Sequence, residues 1–181
     1  MGFVLKKTVV MVGMMGAGKT AVGMALARVL DVPFLDSDAE IMKAANRTIA
    51  EIFERDGEPF FREKEARVIE RLLEHERGIL STGGGAYMAV RNRDMITDKG
   101  VAVWLKADLD LLWNRVKHKD TRPLLRTADP RRTLSELQEA RDPVYALSDL
   151  MVKAHAEYSI PQMVDCVIDA LLSRPDVLER T

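Results

Sequence analysis

The sequence predicts an α/β protein built on a parallel sheet, and three observations carry that prediction. Short β-branched apolar segments alternate with amphipathic helical ones. The strand candidates are nearly continuous in apolar residues, as strands covered on both faces require. The first of them runs into a glycine-rich turn that opens a helix.

In chain order, strands are expected over Thr8–Val12, 32–36, 79–82, 101–105 and 150–154. A helix over Lys19–Leu30 places Val22, Leu26, Val29 and Leu30 on one stripe. Thr48 and Glu51 form a capping-box pair that opens a helix over 49–55. The charged segment 58–76 has Phe61, Val68, Leu72 and Leu73 as its buried side, and a further helix covers 109–117. Thr133 with Glu136 is expected to start another helix, and 159–172 closes the chain. Segments 39–58 and 118–130 fit the strand–helix repeat poorly. Extra pieces at the C-terminal ends of parallel strands commonly bind substrate or form lids.

At 181 residues the chain suits one domain over 1–181. A net charge of −1 gives no general reason to expect nucleic acid or a membrane surface as partner. Cys166 is the only cysteine, so an intrachain disulfide and a cysteine metal cluster are excluded, and a buried thiol is expected. The apolar run after Lys6 and Lys7 breaks into glycines before it could serve as a signal or a span. A cytoplasmic protein is the expectation, and a monomer, because no exposed heptad is evident. His75, His118 and His155 lack metal-ligand spacing.

The turn Gly13-Met14-Met15-Gly16-Ala17-Gly18-Lys19-Thr20 fits G-x-x-x-x-G-K-[ST] between a strand and a helix. Glycines let successive N–H groups, including those at Ala17 and Ala21, face phosphate oxygens, and the helix N-terminus adds its positive dipole end. Lys19 can bridge the β- and γ-phosphates of ATP, and Thr20 offers a hydroxyl to Mg²⁺. Met14 and Met15 are expected to pack.

The second strand ends in Asp36-Ser37-Asp38, and alternation would turn Asp36 and Asp38 to one side. One carboxylate could help hold hydrated Mg²⁺ and the other orient an acceptor hydroxyl. Alternatively, Asp38 could cap a helix over 39–44. Arg62 sits beside Phe60 and Phe61, Arg122 precedes Pro123, and Arg141 precedes Asp142 and Pro143. Such neighbours hold an arginine in place, and Glu65 could lock Arg62 across one helical face. A forked guanidinium suits a substrate carboxylate. Gly83, Gly84 and Gly85 follow the third strand, either as a flexible turn or as a wall a ligand can approach closely.

Taken together these segments resemble shikimate kinase. The match includes Ile49-Ala50-Glu51-Ile52-Phe53, Gly57-Glu58-Pro59-Phe60-Phe61-Arg62-Glu63, Thr82-Gly83-Gly84-Gly85, Thr121-Arg122-Pro123-Leu124-Leu125 and Arg141-Asp142-Pro143-Val144-Tyr145, and spans about residues 8–150. The resemblance implies a three-layer α/β/α P-loop kinase fold with five parallel strands in the order 2-3-1-4-5. It also implies a helical substrate-binding insertion over about 38–65 and a lid over about 117–126. It implies phosphorylation of the 3-hydroxyl of shikimate by ATP with Mg²⁺. By motif, Lys19, Asp38 and Arg122 would be catalytic, with Asp38 on the acceptor hydroxyls and Arg122 closing over the phosphates. Arg62 and Arg141 would clamp the substrate carboxylate, and Gly83, Gly84 and Gly85 would line its pocket. Thr20 and, through water, Asp36 would serve Mg²⁺, and Arg115 would lie against adenine. After residue 150 the match fades, leaving the adenine-side contacts unassigned. A gluconate kinase and a silent nucleotide-binding module are the alternatives sharing the phosphate loop.

Overall fold

A computed structural model describes residues 2–118 and 126–181. It begins with β1 (Phe3–Leu5), β2 (Thr8–Val12), α1 (Lys19–Leu30), β3 (Phe34–Asp36), α2 (Ser37–Ala45) and α3 (Ile49–His75). Then come β4 (Ile79–Ser81), a 3₁₀ turn (Ala86–Met88), α4 (Val90–Lys99), β5 (Gly100–Lys106) and α5 (Leu109–Val116). The chain closes with α6 (Pro130–Tyr145), β6 (Leu150–Lys153), α7 (Ile160–Leu172) and β7 (Leu178–Arg180).

Five strands form one sheet in the order β3-β4-β2-β5-β6, every neighbouring pair parallel. Numbered among themselves in chain order, they read 2-3-1-4-5, the order expected. β2 is central and wholly buried, which its run TVVMV demands. Helices α1 and α7 pack together on one side of the sheet, and α3 with α4 on the other. The C-terminal ends of β2, β3 and β4 therefore open at one rim, where α1, α2 and the 83–85 glycines begin. Among the described residues no helix is long and apolar enough to cross a membrane.

Several boundaries differ from those expected, each for a local reason. The second sheet strand starts at Phe34 rather than Val32: Val32 N–H closes α1 on Ala27 O, and Pro33 has no N–H to offer a ladder. On α1, Val22, Gly23, Leu26, Ala27 and Leu30 are buried, while Val29 is 52% exposed. The buried arc centres between Leu26 and Leu30, which puts Val29 about a quarter turn off it. Asp36, not Asp38, caps α2, its Oδ1 accepting Ala39 N–H at 3.1 Å. Asp38 thus lies in a helical first turn, so strand alternation does not bring the two aspartates together. The α6 start lies before Thr133. Asp129 caps it by accepting Arg132 N–H at 3.2 Å, and Pro130 takes the first turn, where a missing N–H is harmless. Cys166 is half-buried rather than enclosed.

Three elements were not anticipated. β1 and β7 pair antiparallel, but each has three residues, too few for periodicity to register. α4 buries only Asn92 and Ile96 and has no side-chain cap, so it carries neither an apolar stripe nor a start signal.

The Thr48–Glu51 capping box is present, with Glu51 N–H on Thr48 Oγ1 at 3.1 Å. The expected helices over 49–55 and 58–76 are two arms of α3 joined at Gly57, whose φ of 84° and ψ of 169° only glycine tolerates. The break lets Pro59 sit in the first turn of a new arm, where it displaces no helical hydrogen bond.

Candidate active site

The phosphate loop is fixed by its own backbone. Gly13, Gly16 and Gly18 have φ of 142°, 85° and 101°, a region side chains disfavour. Space excludes larger residues as well. A Cβ at Gly13 would lie 2.8 Å from Leu105 O, and one at Gly16 would lie 2.9 Å from Val116 Cγ1 and 3.2 Å from Leu112 O. Lys19 Nζ donates to Gly13 O at 2.5 Å, so the ammonium lies curled over the loop. Arg115 Nη1 donates to Gly16 O at 3.0 Å, which sets that guanidinium beside the loop from α5. Thr20 and Ala21 occupy the first turn of α1, while Met14 and Met15 are buried and pack as expected.

An open cleft of about 980 Å³ runs from this loop to Arg62 and Arg141. It gathers Lys19, Thr20, Asp36, Asp38, Arg62, Arg115, Arg141 and the 83–85 glycines, every described non-loop candidate named from the sequence. Arg122 and most of the expected lid, 119–125, lie outside the described residues.

The glycines after β4 have no positive φ, so they are not a conformational requirement. Each is instead matched to a different charged side chain. A Cβ on Gly83 would stand 3.1 Å from Asp38 Oδ1, one on Gly84 2.7 Å from Arg141 Nη1, and one on Gly85 2.5 Å from Arg62 Nη2. The wall is bare because three functional groups, from α2, α6 and α3, lie directly against it. Space, and not conformational freedom, is what these three positions require.

Arg62 is held by Glu65, whose Oε1 accepts from Nη1 at 2.9 Å, the lock that their spacing suggests. Glu65 is itself 1% exposed, and burial pushes its carboxyl above the usual range against the pull of Arg62. Burial also raises the Asp38 carboxyl, and Asp36 adds to the shift, while Lys19 and Arg62 oppose it. Asp38 Oδ1 and Glu65 Oε2 are buried without a hydrogen-bond partner. An orphaned carboxylate oxygen inside a cleft is costly to keep and ready to accept a ligand hydroxyl proton.

One cleft group, Glu65, and one buried group behind the cleft wall, Tyr145, were not assigned a site role from the sequence. Glu65 was read only as the partner of Arg62, although its position one turn on placed it in the same pocket. Tyr145 follows Arg141 by four residues, the spacing of one helical face, and its hydroxyl donates to Gly84 O at 2.5 Å. Burial pushes that phenol up to about 12, so it stays a neutral donor. The cleft is further walled by Met24, Ala154, Tyr158, Ile160 and Met163, none of them assigned a role from the sequence.

A divalent cation fits the donor set only in a particular way. Among the described residues no three acidic, histidine or cysteine side chains converge on one point. Thr20 and Asp36 both line the cleft, and Asp36 spends Oδ1 on the α2 cap. Such a sparse oxygen set suits Mg²⁺, which keeps several waters and takes phosphate oxygens for the rest of its shell.

Comparison with known proteins shows the family to which the chain belongs. The family model for shikimate kinase matches residues 15–172. The shikimate kinase of Cereibacter sphaeroides is 70% identical over 175 residues, covering 97% of this chain and 87% of that protein. That of Ruegeria pomeroyi is also 70% identical over 175 residues, covering 97% of this chain and 90% of its own. Among solved structures, shikimate kinase from Acinetobacter baumannii in complex with shikimate superposes with a TM-score of 0.86 at 34% identity. That match covers 92% of this chain and 93% of the other.

Proposed function

The chain belongs to the shikimate kinase family, and we propose that it performs that family's reaction with the groups gathered in this cleft. ATP gives its γ-phosphoryl group to the 3-hydroxyl of shikimate, a ring acid carrying one carboxylate and three hydroxyls. Asp38 accepts the hydrogen bond of the attacking hydroxyl and aims its oxygen in line with the phosphorus. Arg62 and Arg141 grip the carboxylate at the far end of the ring, and the 83–85 glycines let the ring close against main chain. Lys19 and the loop N–H groups hold the β- and γ-phosphates and take up charge as the phosphoryl group moves. Arg122 has the lid contact to the phosphates by its motif, and Arg115 lies on the nucleotide side. Thr20 and, through water, Asp36 would hold Mg²⁺, which would screen the phosphate charges when bound.

The phosphoryl transition state is loose, so little proton abstraction is asked of Asp38 and most of the catalysis is placement and charge. Exclusion of water matters because water could take the phosphoryl group in place of the alcohol. A monomer is proposed as the working form. A cytoplasmic location is proposed with it, where ATP is available.

One observation carries the reading: a carboxylate and two guanidiniums, from three different helices, each press on a different glycine of the same wall. The acceptor that fits has a hydroxyl and a carboxylate held apart on a compact frame. The test is ADP release with shikimate, with gluconate and without acceptor. Strong stimulation by shikimate alone is expected. Equal or greater stimulation by gluconate, or none by either, overturns the proposal.

A further inference from the structure

We propose that Arg93, at the start of α4, is a positioning residue for the substrate acid and acts through three peptide planes that end on Gly84 N–H. The inference rests on the reading of the cleft as the shikimate site.

The turn that follows β4 has an unusual ledger of main-chain groups. Six carbonyls in succession, from residue 83 to 88, each accept a protein donor. Gly83 O takes Ala86 N–H at 3.1 Å, and Gly85 O takes Met88 N–H at 3.2 Å. Gly84 O takes the Tyr145 hydroxyl at 2.5 Å, and Ala86 O takes the buried Asn92 Nδ2 at 2.8 Å. Tyr87 O and Met88 O share Arg93 Nη1, at 2.8 and 2.9 Å. By contrast, none of the Gly83, Gly84 and Gly85 N–H groups donates to a protein acceptor among the described residues. Carbonyls are committed inward while donors at the cleft wall are left over.

A peptide unit is planar, so fixing the carbonyl of one residue fixes the N–H of the next. The bonds above therefore join into a chain. Arg93 holds Tyr87 O, whose plane carries Met88 N–H. That N–H holds Gly85 O, whose plane carries Ala86 N–H. Ala86 N–H in turn holds Gly83 O, whose plane carries Gly84 N–H. Each link sets the direction of the next. Because the first donor is a cation, the chain is also polarised in one sense, which strengthens the terminal N–H as a donor. Gly84 lies against Arg141, one of the two guanidiniums assigned to the substrate carboxylate. Asn92 and Tyr145 brace the same turn from the sides, and among the described residues Arg93 is the one cation donating to its carbonyls.

The experiment compares Arg93→Met, which removes the donor, with Arg93→Lys, which returns a cationic donor to the same two carbonyls. Each is assayed for the KM of shikimate, the KM of ATP and Tm. A further measurement is the preference, in kcat/KM, for shikimate over its methyl ester, whose carboxyl carries no charge. Arg93→Met should raise the KM for shikimate about tenfold, the loss expected when one hydrogen bond to a charged group is misaimed. The KM for ATP should stay unchanged. Preference for the acid over the ester should fall by a similar factor, and Arg93→Lys should restore most of both. A lower Tm with an unaltered shikimate KM and acid preference makes Arg93 only a structural prop and overturns the inference. A wild-type enzyme that shikimate fails to stimulate overturns instead the functional reading on which it rests.

Discussion

Glycine occurs three times in the phosphate loop and three times in the cleft wall after β4, and the two sets do different work. In the loop the residues take φ values closed to side chains; an added Cβ would strike Leu105 O at Gly13, and at Gly16 the Val116 side chain with Leu112 O close behind. In the wall the φ values are ordinary, and an added Cβ would strike the ends of Arg62 and Arg141 or the carboxylate of Asp38. The loop is therefore a single object written in eight adjacent residues. The pocket is a meeting of α2, α3, α6 and the turn after β4, and its glycines mark where other parts arrive.

The deepest test of that division is Lys19→Ala. Removing a donor that serves the moving phosphoryl group should cut kcat at least ~10²-fold while leaving the KM for shikimate in place. A rise in shikimate KM as the main effect would mean the two regions are not separable. Next in size, Arg141→Ala removes one arm of the proposed carboxylate clamp. The KM for shikimate should rise about 10- to 100-fold with the KM for ATP unmoved. Should only the KM for ATP rise, Arg141 belongs to the nucleotide side.

A matched pair of glycine variants sharpens the contrast. Gly16→Ala forces an unfavourable φ beside Leu112 O and Val116, so Tm should drop and ATP binding weaken. Gly84→Ala displaces only the end of Arg141, so Tm should hold while the KM for shikimate rises about tenfold. Identical behaviour of the two would erase the distinction between torsional and contact glycines.

The smallest expected effect concerns stability. Burial, and then Asp36, raise the Asp38 carboxyl above its ordinary value. The fold therefore keeps that proton to a higher pH than the unfolded chain does. Stability intact at low pH is lost as pH climbs through the raised value. Asp38→Asn removes this penalty. It should melt above wild type at pH 8, converge with it as pH falls below the ordinary carboxylate range, and have little activity at either. A lower Tm at pH 8 would show that the carboxylate is not strained in the free enzyme.

The same contrast explains what could be read from the sequence. The sheet was legible because Val9, Val10, Val101 and Val103 sit in continuous apolar runs, and the loop because its requirements are local. The pocket was legible only through the resemblance, since no spacing brings Asp38, Arg62, Gly84 and Arg141 together. Glu65 was half visible: its distance from Arg62 predicted the ion pair, but its burial comes from the packing of α3 and could not be inferred. α4 was silent, because Val90-Arg91-Asn92-Arg93-Asp94 is polar and uncapped. That silence concealed Arg93, whose partners are carbonyls of a turn with no pattern of its own.

Gly57 divides α3 into a long, deeply packed arm and a short one at the cleft wall. The second arm buries Phe61, Glu65, Ile69, Leu72 and Leu73 and so keeps Arg62 stationary against the sheet. The first arm sets Ile49 and Phe53 on the cleft wall and joins the second through one residue. The nearest atom to a Cβ there would be Pro59 Cδ, at 3.8 Å, so that joint is unobstructed. In mechanical terms the pocket has an anvil and a jaw. Under the proposed function the anvil, through Arg62, reads the charge of the acid. The jaw carries Ile49 and Phe53, and their position would set how thick a molecule fits.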